Sequence, residues 1–134
     1  MGAMVWNLND FYSEARRNAM PHVNNKGLVS TDRERKDGYY LYQAYLKESP
    51  VLHIASKSWK NRAGASRDGK SCTLPLKVYT NADKVEVFLN GKSLGVYPVA
   101  DKVVSVDIPF VNGKNVVVAA EAKEDVCLGG INNF

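Results

Sequence analysis

The sequence has few of the residues that build disulfide frameworks and metal centres. Its 134 residues include two cysteines, Cys72 and Cys127, and two histidines, His22 and His53. Neither cysteine has the spacing of a metal site and the histidines are isolated, so we expect no metal, no cofactor and two unpaired thiols. No apolar run approaches the roughly 18 residues that a membrane helix needs, which excludes a helical membrane span. We also find no basic segment followed by an apolar stretch, and therefore identify no secretion signal in these residues.

The composition is that of a globular protein, with 45% hydrophobic and 24% charged residues. This excludes a disordered or low-complexity chain. The net charge of +4 is concentrated in residues 51–75, which carry five basic side chains and one acidic side chain. No basic helix or stacking-aromatic motif accompanies this charge, so we interpret it as a solvated loop and expect no nucleic-acid partner.

The first 49 residues predict one strand, one long loop and one helix. Residues 5–8 have the pattern of a short strand, and residues 9–35 show no sustained period. The helix is predicted to begin at Asp37, whose side chain can cap a free backbone N–H, and to end before Pro50. Its predicted apolar face consists of Leu41, Tyr42, Tyr45 and Leu46.

The rest of the chain predicts a mainly β fold. Six strands joined by turns follow within about 75 residues, a pattern typical of an immunoglobulin-like β-sandwich. Asn90-Gly91 is a strong hairpin signal, because a type I′ turn needs positive φ at both positions. We therefore divide the chain into residues 1–49 and 50–134. The predicted core consists of Val85, Val87, Leu89, Val104, Val106 and Val118.

Catalytic chemistry is hard to find among these residues. Glycosidases need a pair of carboxylates at a fixed separation. Asp10 is the best placed acid, but it is more typical of a loop or cap carboxylate, so we assign no catalytic residue. Trp6 is a candidate for stacking on a sugar ring, and asparagines such as Asn24, together with Lys26, could bind sugar hydroxyls. We interpret Trp59 as a packing residue.

Several blocks resemble the end of the catalytic barrel of glycoside hydrolase family 2 and the immunoglobulin-like domain that follows it in many bacterial β-galactosidases. They occur in the expected order and cover most of the chain. The barrel-like blocks are residues 5–11, 24–29, 32–33, 36–42 and 50–54; the domain-like blocks are residues 76–81 and 85–95.

The resemblance implies that the chain is the C-terminal portion of such an enzyme. The segment with Trp6 would be the eighth strand of the (β/α)8 barrel, its tryptophan would line the sugar subsite, and the helix from Asp37 would be the eighth barrel helix. The two catalytic glutamates of the family lie on earlier strands and have no counterpart here, so we expect the chain alone to be inactive. The parent enzyme would hydrolyse terminal β-galactosides with retention.

The identity of the sugar has a second interpretation. Asn24 and Lys26 resemble the Asn-x-Lys pair that binds the uronic acid carboxylate in β-glucuronidases. Similar runs also occur in β-galactosidases with this type of following domain. The sequence therefore favours a galactoside, with a β-glucuronidase or related uronidase as the alternative.

Other roles remain open for the two halves. The sandwich could be a non-catalytic carbohydrate-binding or spacer module, or the whole chain a free-standing adhesion-like domain. We expect a carbohydrate partner for the parent enzyme, and either self-association or packing of residues 1–49 against the missing barrel. The sequence does not assign a cellular compartment; for the parent enzyme, a periplasmic or extracellular location is compatible with the family.

Overall fold

The structure is a computed structural model that describes residues 4–15 and 20–122. A short two-stranded ribbon and one helix precede six longer strands. In chain order the elements are β1 (Phe11–Tyr12), β2 (Val23–Asn24), α1 (Asp37–Leu46), β3 (Leu52–Ile54), β4 (Ser71–Thr80), β5 (Lys84–Leu89), β6 (Lys92–Pro98), β7 (Val103–Val111) and β8 (Val117–Glu121).

Two three-stranded antiparallel sheets form the sandwich. One has the order β3-β4-β7 and the other the order β6-β5-β8. The apolar side chains that alternate along β4, β5 and β7 face each other across the two sheets. This confirms the predicted mainly β, sandwich-type fold. The buried core consists of Leu76, Val78, Val85, Val87, Leu89, Val104, Val106 and Ile108.

The β5–β6 hairpin forms where the sequence predicts it. Asn90 and Gly91 both have positive φ, at 51° and 81°, as the tight turn requires. The register then shifts between Val87 and Phe88, which forms a bulge. Despite the bulge, Val87 keeps its place in the core with no exposed surface.

The last strand, β8, is only five residues long and does not bury Val118 as predicted. The Asn115 side chain accepts the backbone N–H of Val111 and donates to its carbonyl, so residues 112–116 form a closed turn between β7 and β8. Val118 lies opposite Phe88, which points away from the core because Val87 and Leu89 point into it. Val118 is therefore 44% exposed, and its predicted burial is wrong.

The prediction of a strand at residues 5–8 is also wrong. Residues 5–8 are not a strand; within residues 4–15 and 20–122, this segment pairs with the loop, where Leu28 and Val29 donate backbone N–H groups to the carbonyls of Asn7 and Leu8. The extended pair in this region is instead β1 with β2, in which Phe11 lies opposite Asn24.

The predicted helix is confirmed, but its cap and its buried face are not as expected. Lys36 is the N-cap and makes no side-chain cap hydrogen bond. Ala44 is the buried helical residue, whereas Tyr45 and Leu46 are 55% and 72% exposed. The helix packs against its own sandwich, and the Tyr45 hydroxyl donates to the Asp101 carbonyl at 2.7 Å.

Candidate functional site

The loop between residues 6 and 36 is held by a buried carboxylate. Asp10 is 7% exposed, and its Oδ1 accepts hydrogen bonds from the Gly27 backbone N–H at 2.8 Å and from the Lys36 ammonium at 2.6 Å. The ammonium also donates to the Asn25 carbonyl at 3.0 Å. These contacts join the start of the loop, its centre and the residue that precedes α1. Asp10 and Lys36 thus link three separate parts of the loop.

Gly27 brings two backbone segments into direct contact. A Cβ atom at this position would lie 2.3 Å from the Asp10 nitrogen and 2.4 Å from the Asn9 carbonyl carbon. Neither atom can move without shifting the main chain, so only glycine fits here. Nearby, the Arg33 guanidinium donates to Asn9 Oδ1 at 2.8 Å. The described part of the loop thus has a defined shape although it contains little regular structure.

The three predicted substrate-binding residues have different environments in this loop. Trp6 is 79% exposed, and Lys26 is exposed with no ion pair among the described residues. Asn24 is 1% exposed; its Oδ1 accepts the Lys26 backbone N–H at 3.3 Å, and its Nδ2 is buried without a partner among residues 4–15 and 20–122. Asn24 and Lys26 therefore form one corner. In the part of the chain that the structure describes, no hydrogen bond joins the Trp6 side chain to that corner.

A polar contact joins the helix to the sandwich. Asp37 Oδ1 lies 2.8 Å from His53 Nε2, and its Oδ2 accepts the Ser56 backbone N–H at 2.8 Å. The Tyr40 ring stacks on the His53 ring with centroids 3.7 Å apart. Tyr79 lies behind this pair, where burial raises its pKa and the negative charge of Asp37 adds to the rise. Sequence reasoning missed this cluster, because no motif links residues 37 and 53.

The interpretation of Trp59 as a packing residue is wrong, because 70% of its surface is exposed. It follows the turn after β3 and lines an open groove at one end of the sandwich. The same groove is lined by several of the basic residues that we assigned to a solvated loop. The local sequence signal was the pairing of a tryptophan with this positive charge.

Within residues 4–15 and 20–122, no group of three or more histidine, cysteine or acidic side chains could hold a metal ion. Cys72 is a free thiol, while Cys127 lies outside the described residues, as does any pairing between the two. No described helix has the length and apolarity needed to cross a membrane.

Comparison with known proteins relates the chain to carbohydrate-active enzymes. Residues 72–127 match the family described as "Domain of unknown function (DUF4982)". A solved Bacteroides uniformis β-glucuronidase is 41% identical, with a TM-score of 0.77 over 86% of this chain and 15% of that one. A Bacteroides fragilis β-glucuronidase is 33% identical over 87% of this chain and 16% of its own length. A Bacteroides ovatus β-galactosidase is 31% identical over 96% of this chain and 15% of its own length.

Two points follow from these relatives. The chain spans about one sixth of the length of the curated relatives that it matches. Most of the named relatives are β-glucuronidases, so they support the uronide alternative better than the galactoside that the sequence favoured.

Proposed function

Because the chain belongs to the C-terminal region of glycoside hydrolase family 2-like enzymes, with the DUF4982 domain at residues 72–127, we propose that it forms one wall of a β-glucuronide-binding site. In this proposal the wall is the loop of residues 6–36. The catalytic carboxylates belong to barrel strands that have no counterpart in this chain. They would supply hydrolysis with retention through a covalent intermediate.

The observation that carries the proposal is the corner formed by Asn24 and Lys26. The Asn24 Oδ1 accepts the Lys26 N–H, while the Asn24 amide N–H groups have no partner in the described part of the chain. Buried donors are nearly always satisfied in native proteins, so an unpartnered one indicates a missing acceptor. A sugar carboxylate would accept from this amide and pair with the Lys26 ammonium, a charge-assisted contact that a galactoside hydroxymethyl group cannot make.

The frame around the corner supports the same function. Asp10, Lys36 and Gly27 fix the loop backbone next to Asn24 and Lys26. A binding group that is already held in place loses little conformational entropy when the ligand arrives. Trp6, exposed at the start of the same loop, would stack on the apolar face of the sugar.

A hybrid enzyme tests the proposal directly. Residues 4–36 of this chain would replace the matching segment of the Bacteroides uniformis β-glucuronidase, which supplies the catalytic barrel. We expect the hybrid to prefer a chromogenic β-glucuronide over the β-galactoside. Lys26→Met should lower kcat/KM for the glucuronide by about 10- to 100-fold, because one charge-assisted hydrogen bond is worth about 1.5–3 kcal/mol.

The matched control is Asn25→Ala, which changes the residue between the two candidates. The known contact of Asn25 uses its backbone carbonyl, so this variant should retain activity on the glucuronide. A hybrid that cleaves the galactoside better, or a Lys26→Met variant that loses activity equally on both substrates, would contradict the glucuronide proposal. The first result would instead favour the galactoside, as the Bacteroides ovatus relative does.

A further inference from the structure

An open groove of about 800 Å³ lies at one end of the sandwich, where β4 begins and β7 ends. The segment after β3 forms its opposite side, and a smaller groove of about 300 Å³ lies beside it. Trp59 and Arg62 line both. No described residue of the proposed glucuronide wall lines either groove, so the function proposed above gives this surface no role.

Trp59 is suited to stacking on a ligand in this groove. It is 70% exposed, yet its backbone N–H donates to the Ser56 carbonyl at 3.0 Å, which fixes its main chain. A tryptophan with a free aromatic face offers a platform for the C–H face of a sugar ring. The Asn61 amide, in the lining of the larger groove, can donate to and accept from hydroxyl groups.

The charged side chains that line the two grooves are all positive. Lys57, Lys60, Arg62 and Lys114 line the larger groove and Lys77 the smaller one, whereas no acidic side chain of residues 4–15 or 20–122 lines either. The four lysines have no ion-pair partner within those residues. Unpaired cations on low-dielectric walls attract anions.

Arg62 is held in a fixed orientation within the larger groove. Its guanidinium donates to the Ser56 carbonyl at 3.0 Å and lies 6.0 Å from the centre of the Phe110 ring. The remaining donors of the guanidinium are open to a ligand, because these two contacts use only part of its hydrogen-bonding capacity. A cation that is already oriented costs less to engage than a mobile one.

We propose that this groove binds an anionic oligosaccharide, with Trp59 stacked on one sugar ring and the surrounding cations paired with carboxylates on neighbouring rings. The combination of a single exposed aromatic platform with dispersed cations fits an acidic sugar chain. Single-stranded nucleic acid is the less suitable ligand, because its binding uses several stacking platforms along a groove.

The test uses the full chain and defined sugars. An oligogalacturonate is compared with an uncharged β-galactan oligosaccharide of the same length. Trp59 is followed by fluorescence in a Trp6→Phe background, where it is the only tryptophan, since the sequence has two. We expect saturable binding of the oligogalacturonate that weakens as salt is raised, and at least about tenfold weaker binding of the neutral sugar.

Variants separate the two parts of the site and are measured by calorimetry. Trp59→Ala should weaken oligogalacturonate binding by about tenfold, and the double variant Lys57→Gln, Lys60→Gln by about two- to tenfold. The matched control Lys92→Gln removes an exposed lysine of β6 outside both grooves and should leave binding unchanged. The two lysine changes lie on an exposed segment, so they test the site even if Trp59→Ala does not fold.

Three results would overturn the proposal. The first is no saturable binding up to about 10 mM sugar, which corresponds to under about 3 kcal/mol of affinity. The second is equal binding of the charged and neutral oligosaccharides. The third is tighter binding of a single-stranded oligonucleotide than of the oligogalacturonate, which would assign the groove to nucleic acid.

Discussion

The sandwich and the loop that precedes it are stabilised by different forces. In the sandwich, eight buried apolar side chains from both sheets form one continuous core. In the loop, two of the buried groups are polar, Asp10 and Asn24, and the tightest packing is between backbone segments at Gly27. Apolar contacts are non-directional, whereas the loop depends on hydrogen bonds of defined geometry. A region of the first kind can tolerate surface change, and a region of the second kind can hold functional groups in fixed positions.

The part of the chain before residue 50 also exposes more large hydrophobic side chains than the sandwich does. Eight of the large hydrophobic side chains that are exposed lie before residue 50, although this part is the smaller one. They are Met4, Trp6, Leu8, Phe11, Tyr12, Met20, Tyr45 and Leu46. An apolar surface of this kind usually has a partner. Packing against a barrel, or self-association, remains our prediction for this face.

The largest expected effect is in the sandwich core. Val87→Asp would place an unpaired charge at a position with no exposed surface, which costs several kcal/mol and should unfold the domain. Thermal unfolding followed by circular dichroism measures this. Val96→Asp is the matched control, since Val96 is 52% exposed and the change should cost at most about 0.5 kcal/mol. Equal melting temperatures for the two variants would show that the sheet faces are assigned incorrectly.

The second prediction concerns the loop. Lys36→Met leaves the Asp10 carboxylate buried without its cation, and we expect a loss of about 2–4 kcal/mol in the stability of the loop. The amide protons of Gly27 and Asp10, measured by hydrogen exchange, should lose protection, while those of β5 remain protected. The double variant Asp10→Asn, Lys36→Met should recover part of the loss. Equal loss of protection in β5 would mean that loop and sandwich unfold as one unit.

The third prediction tests the connection between the two regions. Asp37→Asn weakens the contacts with His53 and the Ser56 N–H, and should cost about 1–2 kcal/mol. Exchange of the α1 amides should accelerate more than exchange of the β4 amides. Asp101→Asn is the control, because Asp101 contributes its backbone carbonyl to Tyr45. No difference between the two variants would show that the Asp37 cluster does not hold the helix on the sandwich.

The smallest expected effect is at Tyr79, and it depends on pH. Burial, with the charge of Asp37, raises the pKa of this phenol above its unfolded value of about 10, so the folded state favours the neutral form. The resulting stabilisation is complete below that value and is lost as the pH rises through the folded pKa. Tyr79→Phe should therefore lose stability less steeply than the parent chain above about pH 10, as measured by urea unfolding. Parallel curves for the two proteins would contradict this.

Some features of the protein were determined by local sequence. Alternating valines predicted β5 and β7 and most of the core, because one face of each strand is apolar and the other polar. Asn90-Gly91 predicted its turn, since two adjacent positive φ angles are difficult for other residues. The family resemblance came from blocks of residues in a fixed order, and it is confirmed.

Other features were decided by tertiary structure alone. Val118 continues an apolar run, but its exposure was set by its pairing with Phe88 on another strand. Asp37 has the residue type and position expected of a helix cap, yet its side chain bonds His53, 16 residues away. Asp10 and Lys36 form an ion pair with a buried carboxylate, which no spacing rule indicates. Tryptophan is a residue type common in cores, but Trp59 lies on a groove. Local sequence fixes backbone preference and the periodicity of faces, whereas the partner of a polar side chain depends on which distant segments the fold brings together.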